Sequence, residues 1–191
     1  MYEQITQHIS KYIQPTAEEI AFFTSLLKFK KIKKNQYLLQ QGETARYESY
    51  VNKGCLKAAF IDQTGEEYIM QFAIEDWWIT DVQSFLNGTP SDLEIITLEN
   101  SELLQIDYQS LNRLFKKYPK FERFYRILNQ KHQISLHQYF IGLHSKTAKE
   151  RYLHFIKRYP YFIHRIPQYQ IASYLGITPE YLSKIRRDLS R

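Results

Sequence analysis

The chain has 191 residues, with 26 Lys and Arg, 20 Asp and Glu, and one cysteine, Cys55. That length allows one large domain or two small ones. A single cysteine excludes an internal disulfide and any CxxC metal or redox motif. No apolar run is long enough to span a bilayer and the first 15 residues hold no leader-like apolar core, so no membrane partner and a reducing cytoplasm are expected.

Residues 2–13 and 16–27 read as helices, the second opened by a capping box, Thr16-Ala17-Glu18-Glu19. From about 28 to 107 the texture becomes short alternating runs: Tyr37–Leu39, Glu48–Val51, Leu56–Ile61, Tyr68–Phe72, Ile95–Leu98 and Leu103–Ile106. Turn signals separate them, among them Asn52-Lys53-Gly54, Gln63-Thr64-Gly65 and Asn87-Gly88-Thr89-Pro90. Short strands at this spacing predict an antiparallel barrel or sandwich. Residues 108–116 then predict a short helix, stopped by Tyr118-Pro119.

A long helix is expected over roughly 120–143. Its apolar positions Phe121, Phe124, Leu128, Ser135 or Leu136, and Tyr139 approach a seven-residue repeat. About 24 helical residues span about 36 Å, more than one small barrel covers. A contact between two chains along this helix is therefore expected; the alternative is a helix packed only on its own barrel. Lys146–Arg158 predicts a further helix, ended by Tyr159-Pro160.

Residues 166–187 have the pattern of a helix-turn-helix. Ala172 is small enough for two helices to cross closely, and Gly176 stands where the chain must reverse through positive φ. Ile171, Leu175, Ile177, Leu182 and Ile185 form the apolar seam. Thr178 is a good N-cap, Pro179 suits the first helical position, and Ile177 and Leu182 stand as a hydrophobic staple. The face opposite the seam carries Glu180, Tyr181, Ser183, Lys184 and Arg187. Glutamate accepts from cytosine N4 and lysine donates to guanine O6 and N7, so Glu180, Tyr181 and Lys184 are the expected base contacts. Tyr169, Ser173, Thr178 and Arg187 are the expected phosphate contacts. The charge distribution agrees. Residues 144–191 hold 10 Lys/Arg against 3 Asp/Glu, net +7, whereas residues 1–143 hold 16 against 17, net −1.

This order of elements resembles the CRP/FNR family of bacterial transcription regulators over almost the whole chain. Leu39-Gln40-Gln41-Gly42-Glu43 looks like the family's glycine-glutamate turn, Tyr50-Val51-Asn52-Lys53-Gly54 like its strand-turn motif, and Gln63-Thr64-Gly65-Glu66-Glu67 like the next hairpin. The resemblance implies an α+β fold. An N-terminal antiparallel β-roll of jelly-roll type with flanking helices would occupy residues 1–117, a long dimerisation helix 118–143, and a helix-turn-helix DNA-binding domain 144–191. It also implies a homodimer that binds double-stranded DNA and controls nearby promoters, with RNA polymerase and a small-molecule effector as further candidate partners.

The chain departs from the family where cyclic nucleotides bind. Thr80-Asp81 stands at the glycine-glutamate pair that holds the ribose, and Thr89-Pro90-Ser91-Asp92-Leu93 lacks the phosphate-binding arginine. From Ala58 to Asn112 there are 11 Asp/Glu and no Lys or Arg, a poor setting for an anion. Control by cyclic AMP is therefore not expected, nor is any other cofactor. Trp77, Trp78, Asp81 and Ser91 are the candidate effector pocket, the tryptophans either lining it or packing the barrel. Alternation along a strand would let only one of the two face the cavity.

The six histidines show no metal-ligand spacing, and no nucleophile elbow, P-loop or dinucleotide fingerprint occurs; metal binding and enzymatic activity are not expected. Many members of the family continue past the recognition helix into a small β-wing that touches phosphates; none is expected here, and Arg186, Arg187 and Arg191 are expected to stand in for it. The rival reading is a ligand-sensing or protein-binding module whose helix-turn-helix no longer reads DNA.

Overall fold

The computed structural model describes residues 1–189. Ser190 and Arg191, with the phosphate role expected of Arg191, lie outside the described residues. Two short helices come first, α1 (Glu3–Ser10) and α2 (Ala17–Ser25). The capping box of α2 is formed: the Thr16 N–H donates to Glu19 Oε2 at 2.6 Å and the Glu19 N–H to Thr16 Oγ1 at 3.3 Å.

Eight strands follow: β1 (Lys28–Ile32), β2 (Tyr37–Leu39), β3 (Tyr47–Lys53), β4 (Leu56–Ile61), β5 (Glu67–Ala73), β6 (Trp78–Ile79), β7 (Leu93–Thr97) and β8 (Ser101–Asp107). They pair antiparallel into two four-stranded sheets, β1-β8-β3-β6 and β2-β7-β4-β5, the expected β-roll. Two strands lacked a sequence signal. β1 reads Lys-Phe-Lys-Lys-Ile, and its lysines suit the exposed edge it occupies; β6 has only two residues. Gly54, between β3 and β4, has φ +111°, and a Cβ there would run into Ser101. The turn therefore demands glycine.

A short helix, α3 (Val82–Asn87), lies between β6 and β7. α4 (Tyr108–Lys117) leads into α5 (Lys120–Ser145), then α6 (Ala148–Arg158), α7 (Phe162–Arg165), α8 (Gln168–Leu175) and α9 (Pro179–Leu189). The Tyr159-Pro160 break holds, but α7 follows it at once.

Two apolar cores share the molecule. One fills the roll and joins α1, α2, α4 and the start of α5 through Ile5, Phe23, Tyr50, Phe121 and Phe124. The other joins the outer face of β4–β5 to the C-terminal helices through Ala59, Ile69, Phe72, Phe155, Phe162, Ala172 and Ile185. β4 runs between them, with Ala58 in the first core and Ala59 in the second. A strand covered on both faces lacks strict apolar–polar alternation, as Ala58-Ala59 shows, and its one charged residue, Lys57, is buried in a pair with Glu67.

The repeat read along the long helix faces the chain itself. Phe121, Phe124 and Tyr125 are buried in the first core and Leu128 packs against it, while the Tyr139 hydroxyl donates to the Tyr174 carbonyl at 2.8 Å. The outward stripe is a different seven-residue series, Ile127, Ile134 and Ile141. Ile134 and Ile141 are 56% and 61% exposed, and Phe140 beside them is 52% exposed. The sequence shows both series. Only the position of the roll decides which of them is covered.

Candidate functional site

The helix-turn-helix is built as its residues predict. Gly176 takes φ +65° and caps α8, and the Ile177 N–H bonds the Ala172 carbonyl at 3.1 Å. Thr178 Oγ1 accepts from the Tyr181 N–H at 3.2 Å, so Thr178 caps α9. Its hydroxyl hydrogen is not consumed by this bond. Leu182 and Ile185 are buried. Glu180, Tyr181, Lys184 and Arg187 lie on the opposite, exposed side of α9, and Tyr169 is exposed on α8.

Ser173 departs from this group. Its hydroxyl donates to the Glu67 carbonyl at 2.9 Å and accepts from the Ile69 N–H at 3.3 Å. It fastens α8 to β5 and does not face outward as a phosphate contact would. The same docking buries Gln170 and sets Tyr174 against Phe72, with ring centroids 5.4 Å apart. Arg165 completes the attachment. Its guanidinium bonds both oxygens of Glu75, at 2.7 and 3.0 Å, and both of Glu99, at 2.9 and 2.7 Å. Nothing local in the sequence marks Arg165, because both of its partners are far along the chain.

In the roll, Asp81 caps α3: its Oδ1 accepts from the Ser84 N–H at 3.0 Å and its Oδ2 from the Ser91 hydroxyl at 2.7 Å. Both residues are buried. The Ser84 hydroxyl in turn accepts from the Ala45 N–H at 2.8 Å and donates to the Thr89 carbonyl at 2.6 Å. The segment that would cradle a ribose and phosphate is thus closed upon itself. A roll cavity of about 400 Å³ lies next to it, lined in part by Leu39, Ala45, Arg46, Ile79, Thr80 and Gln105.

Two sequence expectations change here. The acidity of residues 58–112 is offset by cations from elsewhere: Lys57 pairs with Glu67, Lys11 with Asp76, Lys28 with Asp107, Lys31 with Glu102, and Arg165 with Glu75 and Glu99. Local acidity is therefore neutralised in part by ion pairs, and Asp81 itself is bonded to Ser91. Trp77 and Trp78 do not enter the roll cavity either. Trp77 lies in the turn before β6 and packs on Tyr159 and Phe162, at 5.6 and 5.9 Å between ring centroids. Trp78 packs on Tyr50 and Tyr125, at 5.4 and 5.6 Å. Both line a separate cleft outside the roll. Strand alternation does not constrain the pair, because Trp77 is not in the strand.

Residues 29–118 match the family model of the cyclic nucleotide-binding domain. Among solved structures, FixK2 from Bradyrhizobium japonicum superposes with a TM-score of 0.74 at 17% identity, over 86% of this chain and 84% of that one. The c-di-GMP-responsive global regulator CLP of Xanthomonas campestris gives 0.68 at 16% identity, over 92% of each chain. The Catabolite Activator Protein of Thermus thermophilus gives 0.56 at 15% identity, over 92% of this chain and 84% of that one. No curated protein matches the sequence. No helix among the described residues is long and apolar enough to cross a membrane. Residues 29–118 are therefore similar to the cyclic nucleotide-binding domain, within a chain that has the fold of these solved regulators.

Proposed function

We propose that this protein is a cytoplasmic, homodimeric transcription regulator that reads a palindromic DNA site without control by cyclic AMP. The observation that carries the reading is α9. Its buried seam anchors it, and its exposed face presents an acceptor, an aromatic ring and two cations at Glu180, Tyr181, Lys184 and Arg187. Such a helix fits a major groove, and two-fold symmetry sets half-sites about 10–10.5 bp apart, or a multiple. Glu180, Tyr181 and Lys184 take base edges, and Tyr169, Thr178 and Arg187 take phosphates.

Selection of a random duplex library on the purified protein, without added nucleotide, tests the reading. Enrichment of a palindrome is expected, and a library that emerges unenriched would refute it. Within the selected site, Lys184→Ala should cost about 1–3 kcal/mol and relax preference at one position. Equal weakening on every sequence would reassign Lys184 to a phosphate. Affinity should also fall steeply with salt, because phosphate contacts release counterions.

The dimer seam in this reading is the stripe Ile127-Ile134-Ile141, with Phe140 at its flank. Removing Ile134 to Cβ should weaken each copy by about 1 kcal/mol, so Ile134→Ala is expected to raise the dimer dissociation constant about 30-fold. Sedimentation equilibrium measures this, and an unchanged constant would remove the stripe from the interface.

One observation favours the rival module: α8 is fastened to β5 through Ser173. A helix-turn-helix used only as a packing unit would bind duplex weakly and with no sequence preference, which the same selection detects.

A further inference from the structure

A cleft of about 550 Å³ lies outside the roll, between α1, the β3–β6 side of the roll, α5 and the α6–α7 corner. Aromatic rings from both halves of the chain wall it, among them Trp77, Trp78, Tyr125 and Tyr159. Trp78 Nε1 and Tyr125 Oη are buried there without a hydrogen-bond partner among the described residues. Tyr125 is only 8% exposed. A buried polar atom left unmatched costs about 1–3 kcal/mol; of the two, only the Tyr125 oxygen can accept a hydrogen bond, because an indole N–H only donates.

Glu48 lines the same wall. Tyr50 pairs with Trp78 across β3 and β6, and Glu48 lies two residues before Tyr50, on the same face of β3. Burial pushes the Glu48 carboxyl up to about 7. The Tyr125 phenol is raised well above its usual value, by burial first and then by the nearby Glu48 charge.

Of the other ionisable groups of the cleft, Asp76 is engaged and the histidines are neutral, while Lys131 and Arg158 keep their charge and contact neutral groups. Asp76 accepts from Gln4, Lys11 and the Tyr50 hydroxyl. Arg158 donates to Gln138 and Ser135. Lys131 sits 4.4 Å over the Tyr12 ring. Burial lowers both His8 and His132, which keeps their rings uncharged near neutral pH. Among the described residues, Glu48 forms no ion pair.

A carboxyl without an ion pair, in a cleft lined by a tryptophan and a tyrosine, is chemistry that recognises ammonium groups. We infer that this cleft binds a small organic cation, an ammonium group on an apolar body, with Glu48 facing the charge and Trp78 and Tyr125 flanking it. Tyr159 and Phe162 of the C-terminal unit also line the cleft, so an occupant would touch the docked helix-turn-helix unit as well as the roll. The inference gives a chemistry to the effector left open above. Its binding test needs no DNA, so the failure of one reading is distinguishable from the failure of the other.

The test is calorimetry on the full chain with 2-phenylethylammonium chloride, followed in parallel by tryptophan fluorescence. Saturable binding with quenching is expected. Affinity should rise as pH increases through about 7, because Glu48 ionises there. The neutral isostere 2-phenylethanol should bind at least about tenfold more weakly, and Glu48→Gln should erase that difference. No binding at millimolar probe, or equal binding of the neutral isostere, would overturn the proposal, as would a folded Glu48→Gln that keeps full preference for the cation. If Glu48→Gln does not fold, the comparison of the two probes on the unaltered chain decides.

Discussion

Phe162→Ala is expected to lower the melting temperature by about 10 °C. The ring is 2% exposed and joins the two halves of the molecule. It lies nearly parallel to Tyr159, with centroids 5.0 Å apart and 13° between planes. It meets Phe155 at 5.9 Å within the C-terminal unit, and Phe72 of β5 at 5.8 Å across the boundary. Truncating a buried phenylalanine costs about 3–5 kcal/mol in lost transfer energy and residual cavity. For a chain of this size each kcal/mol moves the midpoint by about 2–4 °C. Tyr161→Ala is the control: Tyr161 is 74% exposed and its loss should stay within about 0.5 kcal/mol. Differential scanning calorimetry of the two variants measures the contrast. Equal shifts would mean that the aromatic boundary contributes nothing specific.

Arg165→Ala is expected to cost about 3 kcal/mol, because it leaves two half-buried carboxylates facing each other without a cation. The guanidinium makes four charge-assisted bonds, to Glu75 and Glu99. Arg165→Lys should recover less than half of the loss, since an ammonium lacks the planar fork that serves two carboxylates at once. Hydrogen exchange locates the effect: α7, α8 and β5 should exchange faster, while the core around Ile5 and Phe121 stays protected.

The clamp also carries a pH signature. Burial alone would raise the Glu75 carboxyl, but the Arg165 and Gly54 donors more than reverse this, and its folded value is lowered. A lowered carboxylate stabilises the fold fully above the ordinary glutamate value, about 4.3. That contribution is lost as pH falls through the folded value. Acidification should therefore loosen the α7–roll contact in the native chain, and Arg165→Ala should weaken this dependence, leaving only the Gly54 donor to hold the Glu75 charge.

The residues that can be read from the sequence are those whose partners are close along the chain. Thr16 and Glu19, Thr178 and the Tyr181 N–H, and Gly176 and the end of α8 are each a few positions apart. Local stereochemistry alone makes these caps and turns. The apolar runs of β3, β4 and β5 and the α9 seam follow from periodicity in the same way. The face of α9 that meets solvent could be named in advance because one helix has only one side left once its seam is set.

The rest required the folded chain. Arg165 is 90 positions from Glu75 and 66 from Glu99, and Ser173 is 106 from Glu67. No window along the sequence contains such pairs, so the sequence alone points Ser173 at DNA and leaves the acidic stretch without cations. The closure of Asp81 on Ser91, ten positions apart, depends on α3 turning between them. The choice between two seven-residue stripes on α5 depends on where the roll lies. The sequence by itself thus determined the elements, their caps and the chemistry of α9, all governed by contacts within a helical turn or a hairpin. Tertiary structure alone decided which charges are neutralised, which hydroxyls are engaged and which cleft holds an unpaired carboxyl, because burial and ion pairing depend on distances in space and not along the chain.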